Sequence, residues 1–298
     1  MNKSLNISII IIGYNTCHEL GQLLQSINNL KHGSHILEVI YIDDASEDSS
    51  LEVFKNYPLG FQKKYKKNPL NRGRSFSTQR GINLASGDWF LFLRSNEIAS
   101  KNLLHEYVLA INQQLGLAYM GVVRYQSQDK YFEQYLNNKR RGVNLFSCGE
   151  KIHYKFLLFN NSIIHKQIFK DICFNGDLKK YGGEELDFSF RLNKKFPNMI
   201  CACPNAVVYR KNYPSLLDHC MRLEEFGLFN LHMLSKKLQL DIVGYKILLR
   251  KWFLLRLIVL SVYFFCNTIN AKIKMRPQYL IIRAHFLAAI LKGYYRGS

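Results

Sequence analysis

The sequence predicts an α/β fold, with a doubly wound, mostly parallel but mixed sheet and a C-terminal helical appendage. Runs of β-branched residues alternate with segments of helical spacing between Ile7 and Leu93, which is the pattern of parallel strands joined by crossover helices. The 298 residues are also 48% apolar and include only 6 prolines. This composition supports a sizeable core and excludes disordered and collagen-like classes.

The first two predicted strands each lead into a helix. Ile7 to Ile12 has the composition of a strand buried on both faces, and apolar residues then recur with helical spacing up to Ile27. Ile36 to Ile42 repeats the strand pattern, and Ser46 is expected to cap a helix that continues to Lys55. The sequence therefore predicts two consecutive βα units.

A third unit follows, with a strand at Phe61 to Lys66, a helix that ends at Ala85, and a fourth strand at Trp89 to Leu93. In a doubly wound sheet, ligands bind at the carboxyl ends of the parallel strands. Four polar groups follow the predicted strands: Tyr14-Asn15, Asp43-Asp44, Asn71 to Gly73, and Arg94 to Glu97. We expect these groups to converge on one crevice.

Beyond the fourth strand the pattern is less regular. Gln126 to Lys151 is polar and weakly periodic, which predicts a mobile loop or an irregular insertion that could cover an acceptor. Order is expected to return at Phe156 to Ile164, in a helix from Tyr181 to Lys195, and in a strand at Ala206 to Tyr209. We divide the chain into a first domain over 1–215 and a helical region over 216–298.

Several segments, in this order, resemble the family 2 inverting glycosyltransferases of the GT-A fold. The similar segments are Ile12-Gly13-Tyr14-Asn15, the run from Val39 to Asp48, the stretch from Asn71-Arg72-Gly73 to Ala85-Ser86-Gly87-Asp88, and Gly183-Glu184-Glu185-Leu186-Asp187. Each motif alone is weak, but their order and spacing between residue 6 and about residue 215 make the resemblance specific.

The resemblance implies transfer of a sugar from a nucleotide-sugar, with a UDP-sugar expected, to a glycan or lipid-linked acceptor in cell-surface polysaccharide or glycoconjugate synthesis. It makes Glu185 the candidate catalytic base, with Glu184 and Asp187 as neighbours. The candidate nucleotide-sugar-binding residues are Tyr14, Asn15, Asp43, Asp44, Asn71, Gly73, Arg94, Asn96 and Arg210. The aspartates suit hydrogen bonds from a base imide and a ribose hydroxyl; the alternative is that they only favour a helix N-terminus.

The sequence departs from the family pattern where an Asp-x-Asp motif would hold Mn²⁺ or Mg²⁺. Arg94 and Asn96 take the two aspartate positions, so Glu97 is the one carboxylate left as a possible metal ligand. Tyr209 and Arg210 stand where a late histidine ligand would fall. Two hypotheses follow: arginines replace the metal at the donor diphosphate, or the site is degenerate and binds a sugar nucleotide or a partner without turnover.

The chain is strongly basic, with a net charge of +19, and the excess is concentrated near the C-terminus. Ten lysines and arginines and no acidic residue follow Asp241. The basic residues alternate with long apolar side chains around Trp252 to Cys266, as in helices that lie in the plane of an anionic membrane. The alternatives are a helix packed on the domain, a dimer contact, or a single membrane span. No sequence motif for nucleic-acid binding is found, so a nucleic-acid partner is not expected.

Seven cysteines are scattered along the chain, which favours a reduced, cytoplasmic protein over a disulfide-linked one. No structural zinc site is expected. The segment before Ile7 is short and polar, and no signal-peptide cleavage site follows the apolar run from Ile7 to Ile12. We therefore expect a protein bound peripherally to the inner face of a membrane.

Overall fold

The computed structural model describes residues 4–178, 180–250, 252–272 and 279–297. The chain forms two compact units. The first, here the sheet unit, contains residues 1–124, 139–176 and 188–211, and the second, here the helical unit, contains 125–138, 177–187 and 212–298. The single boundary expected after residue 215 thus lies close to 211, but the helical unit also includes two earlier segments of the chain.

Eight strands form one sheet within the described residues. They are β1 (Asn6–Gly13), β2 (Ile36–Asp43), β3 (Gln62–Lys67), β4 (Trp89–Arg94), β5 (Glu97–Ala99), β6 (Ala118–Ser127), β7 (Ser162–His165) and β8 (Ile200–Tyr213). Their order across the sheet is β3-β2-β1-β4-β7-β6-β8-β5. The mixed α/β fold predicted from the sequence is therefore confirmed.

The parallel half of the sheet carries the N-terminal core. β1 pairs in parallel with β2 on one side and with β4 on the other, and β3 pairs in parallel with β2. Ile9, Val39 and Leu91 are fully buried, as expected for strands covered on both faces. β7 is antiparallel to β4 and β6, and β5 is antiparallel to β8. The carboxyl ends of β1, β2 and β4 therefore lie along one edge.

Four helices of the sheet unit follow these strands: α1 (Cys17–Asn28), α2 (Ser50–Asn56), α3 (Arg74–Leu84) and α4 (Leu103–Asn112). The prediction that Ser46 caps the second helix is wrong, because α2 begins at Ser50 and the Ser46 hydroxyl accepts a hydrogen bond from the backbone N–H of Asn15. Asp48 takes the capping role. Its carboxylate accepts bonds from the N–H groups of Cys17 and Ser50, the first residues of α1 and α2.

The Asp48 carboxylate thereby joins two helix N-termini. Partial burial opposes its ionisation, but hydrogen bonds from Ser50 and Cys17 outweigh that effect and lower the pKa of Asp48 to about 2. A carboxylate at a helix N-terminus is also favoured by the helix dipole. This side chain therefore fixes the loops that follow β1 and β2.

The helical unit contains α5 (Lys130–Leu136), the first turn of α6 (Glu184–Lys195), α7 (Leu216–Phe229), α8 (Lys236–Val243), α9 (Phe253–Lys272) and α10 (Tyr279–Arg296). The prediction of a mobile loop over 126–151 is wrong where α5 forms. Asp129 caps this helix by accepting a bond from Phe132 N–H, and Tyr131, Phe132, Tyr135 and Leu136 are buried. A helix of seven residues is too short for a reliable periodicity signal.

Two glycines bring α7 and α10 into close contact. A Cβ atom on Gly227 would lie 1.9 Å from the carbonyl oxygen of Ile290, and one on Gly293 would lie 1.9 Å from that of Glu224. Beside this crossing, Glu224 forms ion pairs with Lys292, at 2.8 Å, and with Arg296. The helices thus approach through backbone contacts that leave no room for side chains.

Candidate functional site

A pocket of about 300 Å³ opens at the carboxyl ends of β1 and β4 in the sheet unit. Its lining includes Ile10, Ile12, Gly13, Tyr14, Thr16, Asp44, Asn71, Gly73, Arg74, Thr78, Phe92, Leu93, Arg94, Ser95, Asn96, Phe159 and Arg210. Seven of the nine predicted nucleotide-sugar-binding residues are in this set. The convergence expected from the strand ends is therefore observed for most of them.

Asp44 is the acidic residue of the pocket lining. Its carboxylate accepts hydrogen bonds from Asn68 Nδ2 at 2.6 Å, from Arg72 N at 3.0 Å and from Gly73 N at 2.9 Å. These contacts tie the end of β2 to the loop before α3, which carries the pocket residues Asn71 and Gly73. Asp44 consequently shapes the pocket as well as lining it.

Asp43 and Asn15 are not among the lining residues. The Asp43 side chain is fully buried and accepts a bond from Ser46 N at 2.6 Å, within its own turn. Asn15 accepts a bond from Glu47 N at 2.9 Å and donates its backbone N–H to Ser46. The two residues join the loops after β1 and β2, so the structure gives them supporting positions behind the pocket surface.

Gly13 and Tyr14 form the turn at the end of β1. A Cβ atom at Gly13 would lie 2.3 Å from Tyr41 Oη, so this close approach requires glycine. Burial raises the pKa of Tyr41 to about 12, which keeps that hydroxyl neutral. Tyr14 itself is 45% exposed at the pocket. Its aromatic ring is therefore accessible to a ligand.

The turn between β4 and β5 carries Arg94 and Asn96 into the lining. The backbone N–H of Arg94 donates to Glu97 Oε2 at 2.8 Å, and Glu97 is fully buried. Arg210 lies opposite Glu97 in the ladder between β5 and β8. The turn is thus anchored by Glu97, while the arginines on either side line the cavity.

The pocket is electropositive, because three arginines and one aspartate are the charged residues of its lining: Arg74, Arg94, Arg210 and Asp44. Guanidinium groups bind phosphate and carboxylate oxygens in bidentate geometry. The complementary ligand is therefore an anion with more than one negative charge.

The residues at the Asp-x-Asp position do not fit a divalent-metal cage. Mg²⁺ and Mn²⁺ prefer several oxygen ligands, usually including carboxylates. Arg94 and Asn96 line the pocket, whereas the carboxylate of Glu97 is not in the lining. Within the part of the chain that the structure describes, no group of three or more His, Cys, Asp or Glu side chains is placed to hold a metal ion.

The predicted catalytic carboxylates occupy the first turn of α6, which belongs to the helical unit. Glu184 and Glu185 are buried and Asp187 is half-buried. Gly182 and Gly183 precede them with φ values of 85° and 91°, a conformation that favours glycine.

The segment before α6 is held by α7 and by the residue that follows it. Asn230 Nδ2 donates to the Gly182 carbonyl at 2.7 Å and to the Lys180 carbonyl at 2.8 Å. A Cβ atom at Gly183 would lie 2.9 Å from the ring of Phe226. These contacts position the start of the helix that carries the three carboxylates.

Six polar or aromatic lining residues are absent from the predicted site: Thr16, Arg74, Thr78, Phe92, Ser95 and Phe159. Arg74 had a usable signal, since it directly follows the Asn71-Arg72-Gly73 motif at the first position of α3. Phe159 had none, because it comes from an irregular segment before β7 that is distant in sequence.

The mixed sheet, with a polar and arginine-rich pocket at the strand ends, defines a protein of the GT-A fold class. A sequence profile described as glycosyl transferase family 2 matches residues 8–173, which is more than half of the chain. The chain belongs to this family.

Two curated relatives show the extent of the sequence similarity. The uncharacterized glycosyltransferase YfnE of Bacillus subtilis is 24% identical over 193 residues, which cover 65% of this chain and 45% of that protein. The poly(ribitol-phosphate) beta-glucosyltransferase of Bacillus spizizenii is 32% identical over 110 residues, covering 35% of this chain and 17% of that protein. The chain thus spans less than half the length of these relatives.

Two solved structures are similar along nearly the whole chain. S. aureus TarS 1-349, in complex with UDP-GlcNAc, has a TM-score of 0.61 at 16% identity and covers 98% of this chain and 92% of that one. The mannosyltransferase PcManGT of Pyrobaculum calidifontis, in complex with GDP-Man and Mn²⁺, has a TM-score of 0.63 at 11% identity, covering 99% and 89%. At these identities the similarity establishes the fold.

Proposed function

We propose that this protein transfers a hexose from a nucleotide-sugar to a hydroxyl group of a glycan or lipid-linked acceptor, with inversion, in the synthesis of a cell-surface polysaccharide or glycoconjugate. The observation that carries the proposal is the pocket, where Arg74, Arg94, Arg210 and Asp44 line one cavity at the strand ends. A nucleoside diphosphate suits this arrangement, because its phosphates are anionic and its base and ribose offer hydrogen-bond donors.

The relatives support a nucleotide-sugar as the donor. TarS is described with UDP and with UDP-GlcNAc, and PcManGT with GDP-Man. The Bacillus spizizenii relative is described as a glucosyltransferase acting on poly(ribitol-phosphate), which supports a surface polymer as the class of acceptor. We favour a UDP-sugar for this chain.

Asp44 and Tyr14 are assigned to the base and ribose. A carboxylate has about four lone-pair sites, and three N–H donors of the protein already bind that of Asp44. About one site remains for a donor on the ligand, such as a base imide. The exposed ring of Tyr14 suits stacking on the base.

The arginines are assigned to the diphosphate in place of a divalent metal. Departure of the nucleoside diphosphate places negative charge on its phosphate oxygens, and preorganised guanidinium groups stabilise that charge. This assignment follows from the donor set at the strand ends, in which arginine and asparagine replace the two aspartates.

Glu185 is assigned as the general base, with Glu184 and Asp187 as supporting carboxylates. In an inverting transfer, the carboxylate takes the proton of the acceptor hydroxyl while the hydroxyl oxygen forms a bond to the anomeric carbon. The bond from that carbon to the phosphate oxygen breaks on the opposite face, and its electron pair leaves with the nucleoside diphosphate. The assignment rests on the motif at the start of α6 and on the chemistry of the carboxylate.

The alternative function is binding of a sugar nucleotide or a partner without turnover, which the degenerate Asp-x-Asp position favours. Calorimetric titration with UDP, GDP, TDP and their sugars, followed by turnover assays on the pairs that bind, separates the two functions. Binding with transfer to an identified acceptor supports the enzyme. Binding without transfer to any member of a wide acceptor panel supports the degenerate protein. No nucleotide binding at all contradicts the enzyme and leaves binding of a partner as the remaining form of the alternative.

The variant Glu185→Gln tests the catalytic assignment. It keeps the shape of the side chain but removes the basic carboxylate, so nucleotide affinity should hold while turnover falls by about 10²–10⁴-fold. Glu184→Gln is the matched control, since removal of this neighbouring carboxylate on the same turn should reduce turnover less than Glu185→Gln does. Transfer by Glu185→Gln at the wild-type rate would move the assignment to Glu184 or Asp187.

A further inference from the structure

Helix α9 exposes an extended apolar surface. Large side chains that are more than a third exposed run from just before the helix through its third turn and beyond: Trp252, Phe253, Leu254, Leu257, Ile258, Val262, Phe264 and Phe265. Phe253 and Leu254 are 73% and 71% exposed. We call this set the apolar face of α9. A contiguous apolar surface of this kind indicates an interaction site.

The opposite side of α9 is held within the helical unit. Val259, Tyr263 and Cys266 recur at helical spacing and are buried. The ammonium group of Lys292 on α10 lies 4.1 Å from the centre of the Tyr263 ring. Asn270, near the end of α9, accepts a hydrogen bond from Tyr131 Oη at 3.0 Å. The helix is therefore fixed along its length by one narrow stripe, which leaves the apolar face uncovered within the unit.

Basic residues flank the apolar face of α9 at both ends. Lys246 and Arg250 are exposed just before α9, Arg256 is exposed in its first turn, and Lys272 is exposed at its end. The guanidinium group of Arg250 lies 5.1 Å from the Trp252 ring. The basic residues after Asp241 also include Lys251, Lys274 and Arg276, which lie outside the described residues.

We propose that the apolar face of α9 inserts into the interfacial region of an anionic bilayer, with the helix lying in the membrane plane on the cytoplasmic side. Aromatic and aliphatic side chains enter the boundary between headgroups and acyl chains, while flanking lysines and arginines bind anionic headgroups. Charge complementarity selects this occupant over a second copy of the chain. Two copies joined at this face would bring together two segments that each carry ten basic residues and no acid.

Length and composition alone would also allow α9 to cross a bilayer. Over Phe253–Asn270 its mean hydropathy is 1.6, and 22% of that window is buried. However, the buried stripe attaches it to polar groups: Asn270 bonds to Tyr131, and Lys292 contacts Tyr263 while paired with Glu224. A spanning helix would carry the Lys292–Glu224 ion pair and the polar Tyr131–Asn270 pair into hydrocarbon, which is costly. The in-plane orientation leaves them in the protein.

The test is co-sedimentation of the full chain with phosphatidylcholine vesicles, with and without phosphatidylglycerol. We expect binding to the anionic vesicles that weakens as salt is added. The variant Phe264→Gln/Phe265→Gln should weaken that binding by about 30-fold or more, because it removes two exposed aromatic side chains. Glutamine is a good helix former, so the fold should be retained, which circular dichroism verifies.

The matched control is Leu217→Gln/Met221→Gln, which removes two exposed apolar residues from α7, on a surface that also carries Asp218. This control should bind vesicles as the wild type does. Equal loss in both variants, equal binding to neutral vesicles, or no vesicle binding would overturn the proposal. Sedimentation of the protein without lipid measures its oligomeric state. A dimer that is abolished by Phe264→Gln/Phe265→Gln would also overturn the proposal, because it would identify a second copy of the chain as the occupant of the apolar face.

Membrane binding by α9 does not depend on turnover. The assay contains no nucleotide and no acceptor, so failure to bind vesicles would leave the proposed transfer reaction standing. Conversely, vesicle binding through α9 is expected even if the protein transfers no sugar.

Discussion

Arg94 contributes to the pocket through two separate groups. Its backbone N–H donates to the buried carboxylate of Glu97, and the residue itself lines the cavity beside Arg210. A substitution of the side chain keeps the backbone bond. The contribution of the guanidinium group to ligand binding is therefore measurable without removing that anchor of the β4–β5 turn.

We predict that Arg94→Ala weakens binding of the donor nucleotide by about 1.5–3 kcal/mol, the usual value of a hydrogen bond to a charged group, or roughly tenfold to a hundredfold. Excess EDTA should have a smaller effect, because the pocket residues do not fit a metal cage. Calorimetric titration of wild type and variant, each with and without EDTA, measures both effects.

Two further variants make this result specific. Arg94→Lys keeps the charge but loses the bidentate geometry, so its affinity should fall between those of wild type and Arg94→Ala. Arg140→Ala removes an exposed arginine that is outside the pocket lining and should bind normally. Strict dependence on added Mn²⁺ or Mg²⁺ would instead mean that a cation completes the site.

The sequence located the strand ends but did not separate neighbouring side chains there. Successive residues of an extended chain point in opposite directions, and adjacency alone does not say which one faces a ligand. Asp43 and Asp44 illustrate this: Asp43 bonds to its own turn, while Asp44 lines the pocket. Arg74 was not predicted, because the site residues in this region were taken only from the Asn71-Arg72-Gly73 motif that precedes it.

The secondary-structure elements were predictable where their patterns are long. β1 and β2 coincide with runs of six or seven residues rich in β-branched side chains. Such runs can be recognised as strands from the local sequence alone. β5 has three residues and α5 has seven, so their patterns are too short to separate from loops. α5 is ordered by burial of residues such as Phe132 and Tyr135, a tertiary effect that local sequence does not reveal.

The crossing of α7 and α10 gives a prediction with an internal control. Gly293→Ala should destabilise the helical unit by about 1–3 kcal/mol, because the new methyl group would overlap the Glu224 carbonyl and the helices must separate. Gly21→Ala, in the middle of α1, meets no atom within 4 Å and should stabilise by up to about 1 kcal/mol through helix propensity.

Urea unfolding of the two glycine variants beside the wild type measures this difference in sign. Equal stabilisation by both substitutions would contradict the close approach of α7 and α10, since only the propensity effect would then remain.

At the scale of the whole molecule, several titratable groups bind protons more weakly in the folded chain than in the unfolded chain. Burial, with a contribution from nearby Lys292, lowers the pKa of His285 from 6.5 to about 4. Hydrogen bonding lowers the pKa of Asp48 to about 2 despite partial desolvation, and an ion pair with Lys166 lowers that of Asp88. For each group the unfolded state takes up protons first as the pH falls, so acid favours unfolding.

We predict that the free energy of unfolding decreases as the pH falls below about 6.5. The first decrease comes from protonation of His285 in the unfolded state, and below about pH 4 protonation of carboxylates adds to it. The share of His285 between pH 6.5 and 4 is up to about 3 kcal/mol, since one pKa unit corresponds to about 1.4 kcal/mol. Urea unfolding over this range should show that the stability advantage of wild type over His285→Gln shrinks as the pH falls. A constant difference between the two proteins would remove His285 as the cause.

The interleaved course of the helical unit also affects how the protein is made. Tyr131 of α5 bonds to Asn270, 139 residues later, and the Phe132 ring packs 6.1 Å from that of Phe286. At about 5–20 residues per second, a ribosome needs on the order of 10 s to supply these partners. Until then the aromatic residues of α5 lack the contacts that α9 and α10 supply, although Phe132 has the earlier partners Tyr213 and His219. A nascent chain stalled before α10 should therefore be a good chaperone substrate, even though much of the parallel sheet is already complete.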